Sequence, residues 1–412
     1  MSLRRLAPAR RGSLPLEHSV LMTATLCLLA GGAVMVYSAS SARTLLEGSG
    51  DGSAYLVKYL AYGAVGFVAL HVASRIDLDV VRRLTPPLLG FAFFLLLAVK
   101  VPGVGVEVNG ATRWIGAGPL QFQPSELMKL ALVLYAVSLL ATKPQRVKTL
   151  KGIASPLLLV VGAAALLIAS QPDLGTALVI GFTMIALLVA AGMPMRLLLS
   201  VGGGAALLVT LFAFSADYRR ERLMTFLDPW AHAGDAGFQS VQGQIALGSG
   251  GLFGLGIGES VQKIFYLPEA HTDFILAVIG EELGVLGITC LLILYGMIAY
   301  AGLRTAKAAK GIYAKLVAAG LTSLILCQAL LNIYAVMGLA PLTGVPLPFI
   351  SSGSTSLIVL LCSMGILLNI AGGGSAHLRA VTRTRSDEDR DRSRRDRRPR
   401  GAGHSRGRRA AG

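Results

Sequence analysis

Three ionisable side chains, Glu269, His271 and Asp273, stand immediately ahead of one of the longest apolar runs in the chain. Ionisable groups at the mouth of a membrane helix are costly to keep and read as functional. A carboxylate at a partly dry boundary suits proton abstraction, so Asp273 is the expected general base. The competing reading makes Asp273 a helix N-cap or first-turn acid, a frequent role. The polar approach through Glu269 and His271 weighs against that. No serine–histidine–acid nucleophile set and no metal-ligand spacing accompany these residues.

The elements around them belong to a membrane protein. The chain has 412 residues, 54% of them hydrophobic and only 15% charged, with a mean hydropathy of +0.65. A soluble chain of this length carries more charge in shorter apolar runs. Apolar stretches long enough to cross roughly 30 Å of hydrocarbon recur about ten times. They fall near 20–39, 55–74, 84–101, 127–141, 153–170, 174–191, 197–215, 272–300, 316–340 and 357–371. The expected fold is therefore an all-α polytopic membrane protein of about ten transmembrane helices. Cys27, Cys290, Cys327 and Cys362 lie in apolar runs without CxxC spacing, which excludes a disulfide framework and a zinc site.

Charge sets the expected orientation. Net charge is +16, and 29 of the 38 lysines and arginines fall in the two terminal segments and in alternate loops. By the positive-inside rule those segments and both termini are cytoplasmic, and Asp273 faces outward. Charge placed this way is a topology signal rather than a nucleic-acid signature, so no nucleic-acid partner is expected. The N-terminal arginines precede an apolar run of about 20 residues with no convincing cleavage site, which reads as a retained first helix. The expected divisions are a basic cytoplasmic N-terminus (1–19), a membrane domain (20–371) and a disordered, Arg-rich cytoplasmic tail (372–412). A large outer loop, 216–267, joins helices 7 and 8.

Other candidates are weighed against plainer roles. Glu126 and Lys129 are one helical turn apart, either a self-neutralising pair or a place where Lys129, with Arg113, holds an anionic phosphate. Asp173 fits a cap of the sixth helix. Trp114 and Trp230 fit an interfacial aromatic belt. Arg219, Arg220 and Arg222 fit a solvated turn. Gly254-Leu-Gly256-Ile-Gly258 lacks the strand a dinucleotide fingerprint needs and reads as a tight re-entrant turn. The eighth span is 29 residues, roughly 43 Å as a helix, so it must tilt, kink or project. Ala277, Gly280, Gly284 and Gly287 share the Asp273 face of an unbroken helix, either for close packing or as a groove for a lipid chain.

Five motifs in order across residues 20–370 carry a family resemblance. They are Gln123-Pro-Ser-Glu126, Gln171-Pro-Asp-Leu-Gly-Thr176, Tyr266-Leu-Pro-Glu-Ala-His-Thr-Asp-Phe-Ile, Ile279-Gly-Glu-Glu-Leu-Gly284 and Pro346-Leu-Pro-Phe-Ile-Ser351. Together they resemble the SEDS family of shape, elongation, division and sporulation proteins. Ser260-Val-Gln-Lys263 followed by Glu269-Ala-His271 resembles its division (FtsW-like) branch more than the rod-shape branch. The resemblance implies a glycosyltransferase that polymerises lipid II outside the cytoplasmic membrane at the division septum. Asp273 matches the family's base. Arg113, Trp114, Glu126, Lys129, Asp173, Glu269, His271, Ser351 and Ser352 become substrate-binding candidates. Ser351-Ser-Gly-Ser-Thr-Ser356 departs from the family's usual Ser-x-Gly-Gly-Ser. Implied partners are a class B penicillin-binding transpeptidase and other divisome membrane proteins. No tightly bound cofactor is implied, beyond a divalent cation (Mg or Mn) that assists. Two alternatives stand, a lipid II flippase and a non-catalytic division scaffold.

Overall fold

The computed structural model describes residues 15–46, 52–108, 110–117, 120–215, 217–235, 237–264, 267 and 270–373. The Arg-rich tail, the segment 1–14 and Glu269 lie outside the described residues. Within hydrocarbon a helix satisfies its own amides, which is why the apolar runs fold as helices. In chain order these are α1 (Leu16–Leu46), α2 (Ala54–Ala73), α3 (Leu78–Ala98), α4 (Pro124–Thr142), α5 (Leu150–Ile153), α6 (Leu159–Ala169) and α7 (Leu174–Ala190). There follow α8 (Met195–Ala213), α9 (Asp217–Leu227), α10 (Phe238–Ser249), α11 (Ile275–Ala308), α12 (Ile312–Val336) and α13 (Ser354–Ala371). Among the described residues 9 helices are long and apolar enough to cross a membrane, with Leu150–Ala169 running through α5 and α6 as one. The α7 helix, at 17 residues, is a shorter apolar helix at the position of the sixth expected span.

Contacts between helix ends separate the two faces of the bundle. Arg304 pairs with Glu17 at 3.3 Å, and Arg82 Nη2 donates to Thr142 Oγ1 at 2.9 Å, gathering basic residues at one end. Gln123, Arg113, Asp173, His271 and Ser352 meet at the other. The centre is α12 and α13, mostly buried and apolar on every side, with α4 beside them. The α8 helix stands at the rim with no buried residue.

The all-α membrane frame carries one small addition: β1 (Gly105–Val108), β2 (Ala111–Ala117) and β3 (Leu120–Phe122) form a three-stranded antiparallel sheet. Pairing of Val108 with Ala111 leaves a two-residue turn containing Gly110 at φ 74°. Such turns need a positive φ that glycine adopts without steric cost. The eighth span begins at Ile275 rather than at 272, so Asp273 precedes the helix and Phe274, not Asp273, is its N-cap. It also kinks, because Gly284 has φ 64° and ψ −160°, values outside any α-helix. The small-residue face therefore does not run on below Asp273 as a lipid groove. Gly280 is pressed against Leu247 of α10, and Gly284 against the backbone of Leu252 and Gly254.

The expected outer loop carries two helices. In α10, Val241, Gly243 and Ala246 are buried against the start of α11. Beyond it the chain turns back and enters the break in α11.

Candidate active site

Proline at the first helical position starts α4, and Gln123 before it is extended (φ −102°, ψ 109°), as a residue preceding proline prefers. Glu126 and Lys129 then lie one turn apart, joined at 2.9 Å and only 2% and 1% exposed. Lys129 Nζ also donates to Gln328 Oε1 at 2.6 Å. Gln328 Nε2 in turn donates to Pro346 O (2.9 Å) and Ser356 Oγ (3.2 Å). The pair thus begins a buried polar chain across α4, α12 and α13.

One turn further along α12, Asn332 Nδ2 donates to the Asp273 carbonyl at 2.7 Å and to Val345 O at 2.8 Å. The Asp273 side chain is neither buried nor fully exposed. Its Oδ1 accepts from Thr272 Oγ1 at 3.1 Å. Gly344 faces its Oδ2, and even an added Cβ there would lie 3.7 Å away. Beneath it Phe274, 2% exposed, packs its ring against Gly243 of α10, where a Cβ would come within 2.7 Å. The carboxylate therefore sits on a fixed turn rather than on a mobile loop tip.

The same end of the bundle holds most of the remaining candidates. His271 packs against Tyr55 with ring centroids 4.2 Å apart and the planes tilted by 54°. The His271 carbonyl accepts from Ser352 N (3.1 Å) and Ser352 Oγ (2.9 Å), tying the Asp273 turn to the start of α13. Ser351, 3% exposed, accepts from Leu347 N at 2.8 Å. Asp173 caps α7 through Thr176 N (3.2 Å) and also accepts from Gln123 Nε2 (3.1 Å) and Ser125 Oγ (3.0 Å). Arg113 clamps the turn ahead of Asp173, donating to Gln171 O (3.0 Å) and Pro172 O (2.6 Å). Trp114 follows it on β2, opposite Val106. A cavity of about 450 Å³ opens beside the sheet, with Lys100, Glu107, Thr112 and Gln171 among its lining.

The loop between α12 and α13 is irregular backbone inside the bundle, so its carbonyls need donors. Tyr295 supplies one to Pro348 O at 2.6 Å and Tyr59 one to Phe349 O at 2.6 Å. Phe349 has φ 64°, uncommon for a bulky residue and held here by the surrounding contacts. Among the described residues, Glu126 Oε2 and Asn332 Oδ1 are buried acceptors without a donor.

Gln328 and Asn332, which link Lys129 to the Asp273 turn, were not among the sequence candidates. Two amides spaced i, i+4 in an otherwise apolar span were the available signal. Among the described residues, no three of His, Cys, Asp and Glu gather into a set able to hold a metal ion.

Fold and site together define a multi-pass membrane protein with a partly exposed carboxylate backed by a buried polar lattice. A family model described as "Cell cycle protein", covering FtsW, RodA and SpoVE, matches residues 18–374. The chain belongs to this family, the one its motifs resemble. It is 41% identical over 352 residues to the "Probable peptidoglycan glycosyltransferase FtsW" of a Geobacter species, covering 85% of this chain and 95% of the relative. The stage V sporulation protein E of Bacillus subtilis is 39% identical over 358 residues, with 85% and 96% covered. Among solved structures, a chain of a peptidoglycan synthase complex that coordinates polymerization and crosslinking superposes with a TM-score of 0.70 at 30% identity, covering 85% of this chain and 96% of that one. The rod shape determining protein RodA of Thermus thermophilus gives a TM-score of 0.61 at 28% identity, with 85% and 95% covered.

Proposed function

We propose that this chain is a peptidoglycan glycosyltransferase that polymerises lipid II on the outer face of the cytoplasmic membrane during septal cell division. One observation carries the reading: Asp273 is partly exposed on a turn pinned by Asn332, Ser352 and the Phe274 ring. A fixed carboxylate open to one side is what a general base for a sugar hydroxyl requires. Asp273 takes the proton from the acceptor's 4-hydroxyl, and that oxygen attacks the anomeric carbon of the donor. The bond to the lipid pyrophosphate breaks, and the pyrophosphate leaves with its electron pair.

Cations must meet that leaving group. Arg220 and Arg222 are exposed on α9, whereas Lys129 is 1% exposed and already donates to Glu126 and Gln328. Arg113 already spends two donors on the 171–172 turn, so its first role is to shape the Asp173 corner. A divalent cation (Mg or Mn) enters this reading only as a counter-ion arriving with the substrate's pyrophosphate. The partner is a class B penicillin-binding transpeptidase, in keeping with the similarity to a subunit of a polymerising and crosslinking complex.

The test is glycan-strand formation from labelled lipid II by the purified chain with its transpeptidase, wild type against Asp273→Asn. Strands lost in the variant, with lipid II still bound, are the expected result. Full-rate synthesis by the variant removes the base. Lipid II translocation without strands from wild type replaces the polymerase with the flippase.

A further inference from the structure

A second group of buried charges lies where α11 breaks. At Gly284 the helix loses its own backbone pairing, and segment 250–263 supplies substitutes. Leu255 N donates to Glu281 O (2.9 Å) and Gly256 N to Glu282 O (3.0 Å), while Val285 N and Leu286 N donate to Gly251 O (3.0 Å) and Leu252 O (3.2 Å). The fit has no slack, since a Cβ on Gly250 or Gly254 would run into the carbonyls of Gly280 and Glu282.

Side chains bolt the same junction. Lys263 Nζ reaches Glu282 Oε1 (2.7 Å), Gly258 O (2.7 Å) and Ser38 Oγ of α1 (3.1 Å). Ser38 Oγ donates to the Glu282 carboxylate at 2.6 Å. Glu281 accepts from Ser260 Oγ and from the backbone of Val261 (3.1 Å) and Gln262 (3.4 Å). Ser38, Ser260, Lys263, Glu281 and Glu282 are all at most 4% exposed.

A buried ion pair adds little net stability over well-packed apolar residues; its best-supported use is to select one arrangement among several. Here the arrangement selected is that of the leading part of α11, 275–283, to which the Asp273 turn is joined through Phe274. Without the bolt, Gly284 leaves that part joined to the rest of α11 by one non-helical residue.

We propose that Lys263, Glu282 and Ser38 are positioning residues: they lock segment 250–263 into the α11 break and so fix the placement of Asp273. The proposal rests on Asp273 as the base, so its test includes a readout independent of that role. Spin labels at Phe253→Cys and Tyr300→Cys, both exposed, report how segment 250–263 sits against α11 beyond the break. They are placed in an otherwise cysteine-free background, in Lys263→Met, Glu282→Gln, the combined variant and Lys263→Arg. Strand synthesis from lipid II with the transpeptidase present is measured in parallel.

The expected result is a broadened 253–300 distance distribution in the methionine and glutamine variants. Their kcat should fall at least tenfold with KM for lipid II within about twofold, and Lys263→Arg should retain more than half of wild-type kcat. The neutral combined variant should unfold near the wild-type temperature yet remain slow, which separates positioning from stability. A wild-type distance distribution in the combined variant overturns the proposal, as does its wild-type kcat. If Asp273→Asn proves active, the assignment of the base fails and the distance distributions alone decide the bolt.

Discussion

Replacing Lys129 by methionine tests whether the Glu126–Lys129 pair is as deeply enclosed as its 2% and 1% exposures imply. The substitution removes the donor to Glu126 Oε1, and Oε2 has no partner to fall back on. Gln328 Oε1 loses its 2.6 Å donor at the same time. Breaking a buried pair from one side costs about 3–5 kcal/mol, because the remaining charge stays in a dry setting. On the scale of ordinary domains that is a fall on the order of 5–15 °C in Tm. Thermal unfolding followed through the fluorescence of Trp114 and Trp230 measures it. Adding Glu126→Gln removes the stranded charge, so most of the lost stability should return. Strand synthesis should remain low in the double variant if Lys129 also meets substrate. A Lys129→Met protein that melts with wild type refutes the reasoning, since an enclosed carboxylate cannot lose its cation at no cost.

Asn332→Leu should orphan the Asp273 and Val345 carbonyls at about 1–3 kcal/mol each, and lower kcat more than lipid II affinity in the strand assay. Gly243→Val should push on the Phe274 ring, where a Cβ already comes within 2.7 Å, and reduce strand synthesis with little change in membrane insertion. Arg113→Lys keeps the charge but loses the planar fork that holds Gln171 O and Pro172 O. Faster amide hydrogen exchange around Asp173 is the expected signature.

Much of the frame was legible because hydrocarbon leaves the backbone few choices. All ten expected spans have a helix at their position, and the basic residues of the loops mark one end. The Glu126–Lys129 pair was readable from its spacing alone. The sheet was missed although Asn109-Gly110 between Val108 and Ala111 is a hairpin signal, because the segment was read as a loop between spans. The length of the eighth span called for a tilt, kink or projection, but nothing in the apolar pattern placed a break at Gly284, since what permits it is a loop arriving from elsewhere in the chain. Lys263 and Glu282 are 19 residues apart, and Ser38 is 244 from Glu282, so no local pattern announces their contact. The N-cap reading of Asp273 failed because the helix begins later, at Ile275, leaving Asp273 on the turn that Asn332 and Ser352 hold.

The loop ahead of α13 carries a constraint of its own. Val345, Pro346, Pro348 and Phe349 hand their carbonyls to four different side chains rooted in three helices. Each partner reads one particular position along the strand of loop, much as a key's wards read its cuts. Side chains there can be exchanged for others of similar shape with modest loss. A single inserted or deleted residue shifts every cut at once, so length, more than composition, is what this stretch cannot vary.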